Sequence, residues 1–291
     1  MHGFHFALFL KKITLILHLF TLNLNTMAKI LPVTPFTNTL GNFSVYKMFG
    51  VDKPVVREKH GPTKEQIETQ PCYSKLRLCQ KEFAGCGKGA SLLSLATFAI
   101  KPLSDPSYSG MLVKICKIIQ LQDSINPMGE RSVLFSQYGN ILNGFNINRL
   151  IPFDNVIQYP VTYTLFRKSS KAKIVLPKIH PAINLSNPEQ YPLFRFIICL
   201  GVITDLVNEG TGYAPVNILM QQNAVQEQTE WLSTKNIFNG LTQEIKLRKS
   251  LSLDDNANLL LSLGIEFGRP VSNTVVEAVK RAGCGKILAV G

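Results

Sequence analysis

Residues 194–203, FRFIICLGVI, decide the fold of this chain. Apolar residues occupy both alternating sets of positions in this stretch, so a strand here is apolar on both faces. Strands of that kind lie in the middle of a sheet. We therefore predict a central β-strand at this place.

The sequence on either side of this stretch predicts further short strands. Residues 158–166 alternate, with Tyr159, Val161, Tyr163 and Leu165 on one face and threonines opposite, which is typical of a half-buried strand. Other predicted strands cover 171–176, 229–234, 243–251, 258–267 and 286–290. Turn residues separate them and no helix alternates with them, which favours a mainly antiparallel, Ig-like β-sandwich.

Before Phe145 the pattern predicts helices. Two short strands or an extended arm, at 42–49 and 54–57, precede them. Thr63 and Gln66 have the spacing of a capping box, in which each side chain bonds the other residue's backbone N–H.

Two longer helices are predicted next. One begins near Pro71, and the glycines between 85 and 89 should break or kink it before residues 90–100. The other has Asp105 as N-cap and Pro106 in its first turn. Its segment 111–121 is amphipathic, with Leu112, Ile115, Cys116 and Ile119 on one face.

These patterns predict an α+β chain in three parts. Residues 1–26 form a leader or signal-like extension, residues 27–140 an extended arm plus a helical region, and residues 141–291 a β-sandwich domain. The leader allows three interpretations: an extension upstream of a start at Met27, a secretion signal, or a membrane anchor. Its lysine-free apolar stretch, 13–22, is too short to span a bilayer as a helix. The protein is cytoplasmic if translation starts at Met27 and exported if the leader is a signal peptide.

The chain is basic, with 31 Lys and Arg against 19 Asp and Glu and a net charge of +12. The excess is spread along the chain, which is typical of a solvated surface but also suits an anionic partner. Five residues in and beside the helical region are the candidate nucleic-acid contacts: Lys64, Lys75, Arg77, Lys81 and Lys88. Trp231, the single tryptophan, is the candidate ligand contact in the sandwich.

The six cysteines do not predict a metal site or a disulfide. Cys72, Cys79 and Cys86 recur every seven residues, which on one helix separates neighbours by about 10.5 Å. That distance is too long for a shared zinc ion or a disulfide. Cys116 and Cys199 lie in apolar runs and are predicted to be buried thiols, as in a reducing compartment.

No catalytic or cofactor motif emerges from the sequence. Gly85-Cys-Gly-Lys88 lacks the phosphate-loop pattern, because Glu82 replaces its first glycine and Gly89 its hydroxyl residue. Beyond the leader only His60 and His180 remain, and neither has metal-ligand spacing. We therefore predict no catalytic residues, no cofactor and no metal.

Several short segments resemble a family of uncharacterised Bacteroidota proteins. They are Asn42–Gly50, Val55–Lys59, Gly61–Ile67, Glu82–Gly85, Gly129–Arg131, Ile174–Pro177, Leu193–Phe196 and Leu263–Phe267. The resemblance implies the same two-part architecture and carries no activity, since the family has none established.

The sequence therefore predicts a non-enzymatic structural or interaction protein, such as a subunit of a cell-surface or phage-like assembly. Its partner is predicted to be a protein or further copies of itself, with no integral membrane span. The alternative is nucleic-acid binding through the basic helical region. A sugar- or peptide-binding sandwich that uses Trp231 is a third hypothesis.

Overall fold

A computed structural model describes residues 28–29, 39–48, 50–248, 253–272 and 274–291. The predicted leader, residues 1–26, lies outside these residues. The chain divides into two compact units, one ending at Thr69 and one covering Gln70–Gly291. The predicted boundary between residues 140 and 141 falls inside the second unit.

The first unit contains a small antiparallel sheet and a short helix. Its strands are β1 (Ala28–Lys29), β2 (Thr39–Leu40), β3 (Phe43–Tyr46) and β4 (Val55–Glu58), in the order β1-β4-β3-β2. Helix α1 (Lys64–Thr69) follows. The capping box is confirmed, because Thr63 N–H donates to Gln66 Oε1 at 2.8 Å and Gln66 N–H donates to Thr63 Oγ1 at 3.2 Å.

The second unit contains two long helices and two main sheets. Its helices are α2 (Ser74–Ala96), α3 (Tyr108–Gln120), α4 (Phe135–Tyr138), α5 (Phe153–Val156), α6 (Pro181–Asn184) and α7 (Ile218–Gln221). Its strands are β5 (Thr162–Phe166), β6 (Lys171–Leu176), β7 (Leu193–Thr204), β8 (Leu206–Asn208), β9 (Tyr213–Pro215), β10 (Ala224–Gln228), β11 (Leu232–Ser233), β12 (Leu241–Lys246), β13 (Ala257–Pro270), β14 (Val276–Ala278) and β15 (Cys284–Val290). Short 3₁₀ turns cover Pro71–Tyr73, Lys101–Leu103, Gly139–Leu142 and Arg167–Ser169.

The predicted break in the second helix is wrong, because α2 continues through all three glycines. A Cβ on Gly85 would lie 2.7 Å from the Tyr213 ring, and one on Gly89 would lie 3.1 Å from Cys116 Sγ. Gly85 and Gly89 therefore allow close packing, at a cost in helix propensity of about 1 kcal/mol for each glycine.

The start of α3 also differs from the prediction. The N-cap is Ser107 rather than Asp105, and Pro106 lies in the preceding turn. The Asp105 carboxylate accepts hydrogen bonds from the Ser107 N–H at 2.7 Å and the Arg149 N–H at 2.8 Å, so it joins the turn to a distant loop. The amphipathic pattern is confirmed, since Leu112, Cys116 and Ile119 are buried.

The main sheet is built on β7 and β13, which pair antiparallel along their length from Leu193↔Gly268 to Thr204↔Ala257. Strands β10 and β11 pair with the other edge of β7, and β14 and β15 with the other edge of β13. The sheet is curled into a half-barrel. The predicted central strand is confirmed, because β7 is buried on both faces.

The second sheet has the order β12-β6-β5, and its pairs are antiparallel. The predicted bounds of β6, 171–176, are confirmed. Strand β5 begins four residues later than predicted, at Thr162 rather than at residue 158, and most of its residues are exposed.

Two different layers cover the two faces of β7. Phe194, Phe196 and the other even-numbered residues to Val202 share a core with Ala172 and Ile174 of β6 and Ile245 of β12. Ile197, Cys199 and Ile203 share a second core with α2 and α3. The fold is therefore α+β with antiparallel sheets, and helices cover one face of the main sheet where a sandwich would have strands alone.

Candidate functional site

Four of the five predicted basic contacts lie on α2, in the second unit. Arg77, Lys81 and Lys88 are four and seven residues apart, so they share one face of the helix, and Lys75 projects from a different face. Lys64 belongs to α1 of the first unit, where its ammonium lies 3.7 Å from the Glu68 carboxylate. The structure thus groups three of the five residues. We call Arg77, Lys81 and Lys88 the α2 basic stripe.

A pocket of about 320 Å³ lies beside this stripe. Lys81 and Lys88 line one wall, and the β8–β9 hairpin lines the other with Asn208, Thr211 and Tyr213. Lys88 Nζ donates to the Tyr213 carbonyl at 2.6 Å, which ties the helix to this hairpin. Two ammonium groups at one opening favour an anionic occupant.

A buried ionic cluster beneath the stripe holds α2 against α3. The Glu82 carboxylate is almost fully buried and accepts hydrogen bonds from Lys117 Nζ and from the Gly129 N–H at 3.0 Å, with Arg131 Nε 3.8 Å away. Burial raises the pKa of Glu82, but the hydrogen bonds from Lys117 and Gly129 and the charges of Lys117 and Arg131 outweigh it. The net pKa lies below the usual glutamate value, so this carboxylate is ionised.

Tyr213 connects the hairpin to the same cluster. Its hydroxyl donates to the Arg131 carbonyl at 2.8 Å and lies 3.3 Å from Gln120 Nε2, which donates to it. Burial, followed by the negative charge of Glu82, raises the pKa of Tyr213 to about 12. The phenol is therefore neutral near pH 7 and serves to position the pocket wall.

A larger groove of about 460 Å³ runs between α2 and α3. Small residues of α2 form its floor: Gly87, Ala90, Ser91 and Ser94. Leu95, Phe98 and Val113 add apolar walls at one end. Further toward the start of α2, Leu76 and Phe83 lie on the same helix face as the small residues and are 39% and 66% exposed. We call this surface the α2–α3 groove.

Trp231 is half-buried and already has intramolecular partners. The Arg195 guanidinium lies 4.4 Å from the centre of its ring, and Arg195 in turn binds the Glu266 carboxylate at 2.7 Å. The ring also lies against Gly268, where a Cβ would come within 2.5 Å of it. The cation–π contact covers one face of the indole, so a ligand would have to use the ring edge or displace Arg195.

All six cysteines are free thiols. The prediction of buried thiols at Cys116 and Cys199 is confirmed, and Cys72 and Cys79 are exposed. In the part of the chain that the structure describes, no three Cys, His, Asp or Glu side chains are grouped to hold a metal ion. Nor does any described helix have the length and apolarity to cross a bilayer.

Sequence reasoning identified Lys81 and Lys88 but missed the pocket and the groove. The pocket needs the β8–β9 turn, which lies more than 110 residues after the end of α2 and carries no motif. The groove had a signal in the sequence, since Gly87, Ala90, Ser91 and Ser94 follow the 3,4,7 spacing of one helix face. That signal is lost once the glycines are interpreted as a helix break.

Comparisons with family models, with curated proteins and with solved structures found no match for this chain. The resemblance to Bacteroidota proteins therefore stays a prediction.

Proposed function

We propose that this protein is a non-enzymatic interaction protein that binds an amphipathic helix of a partner protein in the α2–α3 groove. The observation that supports this proposal is the composition of one face of α2. Small residues form the floor of the groove, and exposed large apolar residues lie toward both ends of that floor. Small side chains let the backbone of a third helix approach closely, and large apolar residues at both ends provide anchors.

Exposed apolar residues of this size have a cost in a surface helix, which favours a binding role. Phe83 exposes two thirds of its surface, and Leu76, Leu95 and Phe98 each expose about two fifths. Lys101 lines the groove, and Lys114 on α3 is exposed. The net charge of the chain is also positive, so the partner helix is expected to be acidic on its polar face.

Photo-crosslinking of the full chain, expressed in cells of the organism that encodes it, tests this function. A photoreactive phenylalanine analogue replaces Ser94 in the groove, and the same analogue replaces Ile183, which is 77% exposed on α6, as the control. We expect crosslinks from position 94 to one segment of a partner protein with an apolar helical repeat. The additional change Phe83→Ser should abolish them.

Two results would overturn this proposal. One is the same set of crosslinked proteins from both positions, which indicates nonspecific contact. The other is crosslinking only between copies of this chain, together with a discrete oligomer in light scattering. That second result would mean that the groove binds another copy of this chain rather than a different protein, as in the subunit of a cell-surface or phage-like assembly.

The two sheets suggest another route to assembly. Strands β6 and β12 of the smaller sheet share a core with β7 and β13 of the main sheet. We infer from this shared core that the two sheets form a sandwich-like double layer, and the predicted Ig-like fold depends on that inference. Among the described strands, β5 pairs with β6 alone. A partner strand could extend the sheet at that edge.

The second candidate function is nucleic-acid binding by the α2 basic stripe. Its support is the common face of Arg77, Lys81 and Lys88 and the pocket beside two of them. Replacing all three with Gln should weaken binding to duplex DNA and reduce the slope of log affinity against log salt by about 2.7. Lys75→Gln, on another face of α2, is the control and should change binding less than any single change in the stripe.

A further inference from the structure

The outer face of the three-stranded sheet is basic, and neither function proposed above uses it. Alternation places Ala172, Ile174 and Ile245 in the core, so the residues between them point away from it. By register the outward residues form three rows, which are Thr162, Val175 and Thr242; Thr164, Lys173 and Glu244; and Phe166, Lys171 and Lys246. We call these nine residues the outer sheet face.

Positive charge dominates this face and its margins. Lys171, Lys173 and Lys246 stand against a single carboxylate, that of Glu244. Lys168 in the β5–β6 turn and Arg248 just after β12 are both exposed and add two more cations. This concentration of charge contrasts with the even spread of charge along the sequence, since it arises only when the strands are paired.

One row of the face breaks an ordinary rule of strand pairing. Lys171 and Lys246 are directly opposite each other, an arrangement that like charges make unfavourable. Lys171 Nζ lies 3.2 Å from Glu244 Oε2 and 5.1 Å from the centre of the Phe166 ring, which offset part of that repulsion. An anion placed between the two lysines would offset the remaining repulsion between their ammonium groups.

Phe166 provides an aromatic surface in the same row. The residue is 37% exposed and lies at the end of a strand, beside the lysines rather than in the core. Lys171 Nζ covers one face of this ring, so a base would stack on the other face or displace that ammonium while the cations bind the adjoining phosphates. A duplex does not offer its bases in this way.

The face is held rigidly by the residue next to Phe166. Arg167 donates from one guanidinium nitrogen to Asn258 Oδ1 at 2.8 Å and from another to the Asp254 carbonyl at 2.6 Å. These bonds fix the β5–β6 turn to β13 and the loop before it. A preformed surface loses less conformational entropy on binding than a mobile one.

We propose that the outer sheet face binds single-stranded nucleic acid, with Lys171, Lys173 and Lys246 on phosphates and Phe166 stacked on a base. The site lies on the opposite side of the main sheet from α2 and α3, so it is separate from both sites proposed above.

Fluorescence anisotropy of the full chain with labelled oligothymidine, about 20 nucleotides long so that it exceeds a single-domain site, tests this proposal. The double variant Lys173→Gln/Lys246→Gln should reduce the slope of log affinity against log salt by about 1.4, which is the loss of two single-strand phosphate contacts. Phe166→Leu should weaken binding about tenfold with little change in that slope. The control Lys280→Gln/Arg281→Gln removes the same charge from the exposed turn between β14 and β15 and should leave the slope unchanged.

Thermal melting of each variant shows that it is folded. Three results would overturn the proposal: no binding of the oligothymidine at low salt, equal loss in the control and sheet variants, or duplex binding as tight as single-strand binding with no effect of Phe166→Leu. Loss of binding only in variants of Arg77, Lys81 and Lys88 would also overturn it and would favour the α2 basic stripe.

Discussion

Gly85 and Gly87 of α2 are two residues apart and have opposite surroundings. A Cβ at Gly87 meets nothing within 4 Å, whereas one at Gly85 would meet three atoms of the Tyr213 ring at 2.7–2.8 Å. Gly87→Ala should therefore stabilise the protein by about 0.5–1 kcal/mol through helix propensity. Gly85→Ala should destabilise it by about 1–3 kcal/mol, because hydrogen bonds hold that ring in place.

Urea unfolding followed by circular dichroism measures both changes in unfolding free energy. A gain in stability from both variants would mean that Tyr213 moves away without cost, contrary to the packing described. Sequence reasoning could not separate the two glycines. Local propensity treats them alike, and the ring that distinguishes them arrives from a turn far along the chain.

Glu82 should contribute a pH-dependent part of the stability. Its pKa in the folded protein lies below the unfolded value, so its contribution is fully present above the unfolded pKa. The contribution is lost as pH falls from there through the folded pKa. Asp105 and Asp123 have lowered pKa values too, because hydrogen bonds outweigh the effect of burial, so their contributions to stability should also be lost in acid.

The test compares the wild type with Glu82→Gln at several pH values between neutrality and the acid limit of folding. The stability difference should be about 2–4 kcal/mol at neutral pH, where the substitution leaves Lys117 and Arg131 without their carboxylate. It should shrink as the pH falls below the normal range of glutamate. A difference independent of pH would show that Glu82 is not ionised in the folded protein.

At the scale of elements, strands were predicted best where sequence pattern and burial agree. The bounds of β6 match because three buried small or apolar residues alternate with less buried ones, and β7 matches because apolar residues occupy both of its faces. Strand β10, AVQEQ, was missed since Val225 is its only residue with a high strand propensity. It forms because Ala224–Gln228 pairs with the edge of β7 between Ile197 and Gly201. Tertiary pairing with β7, rather than local strand propensity, therefore determines that β10 forms.

The β5–β6 hairpin should depend on Arg167. Replacing it by Met removes the hydrogen bonds to Asn258 and Asp254 while keeping most of the side-chain length. We expect a loss of about 1.5–3 kcal/mol, typical of hydrogen bonds from a charged group. Amide hydrogen exchange of residues 162–176 should quicken more than exchange in β13. Lys168→Met, the exposed neighbour, should leave both unchanged, and equal exchange in the two variants would contradict this anchoring role.

For the whole molecule, the change of sequence pattern near Phe145 is real but does not separate the cores. Helices precede that residue and most of the strands follow it, as predicted. The odd-numbered residues of β7 nevertheless pack into the core of α2 and α3, and Cys199 Sγ donates to the Ala96 carbonyl at 3.4 Å. Gly201 allows this contact, since a Cβ there would collide with Ala96 O. A sequence pattern cannot show that the two faces of one strand pack into two different cores.

We therefore expect residues 70–291 to unfold cooperatively, and the cysteines can report it. Cys86 and Cys116 are buried in the helical core and Cys284 in the core between the sheets. Burial raises the pKa of each of these thiols, to about 11 for Cys86, so they should resist alkylation in the native state while Cys72 and Cys79 react.

Mass spectrometry after brief alkylation at increasing urea concentrations measures the exposure of each thiol. One shared midpoint for Cys86, Cys116 and Cys284 is expected, because removing the helices would uncover Ile197, Cys199 and Ile203 of the central strand. A lower midpoint for Cys86 and Cys116 than for Cys284 would instead mean that the helices unfold while the sheets persist. The change of sequence pattern near Phe145 would then mark a true domain boundary.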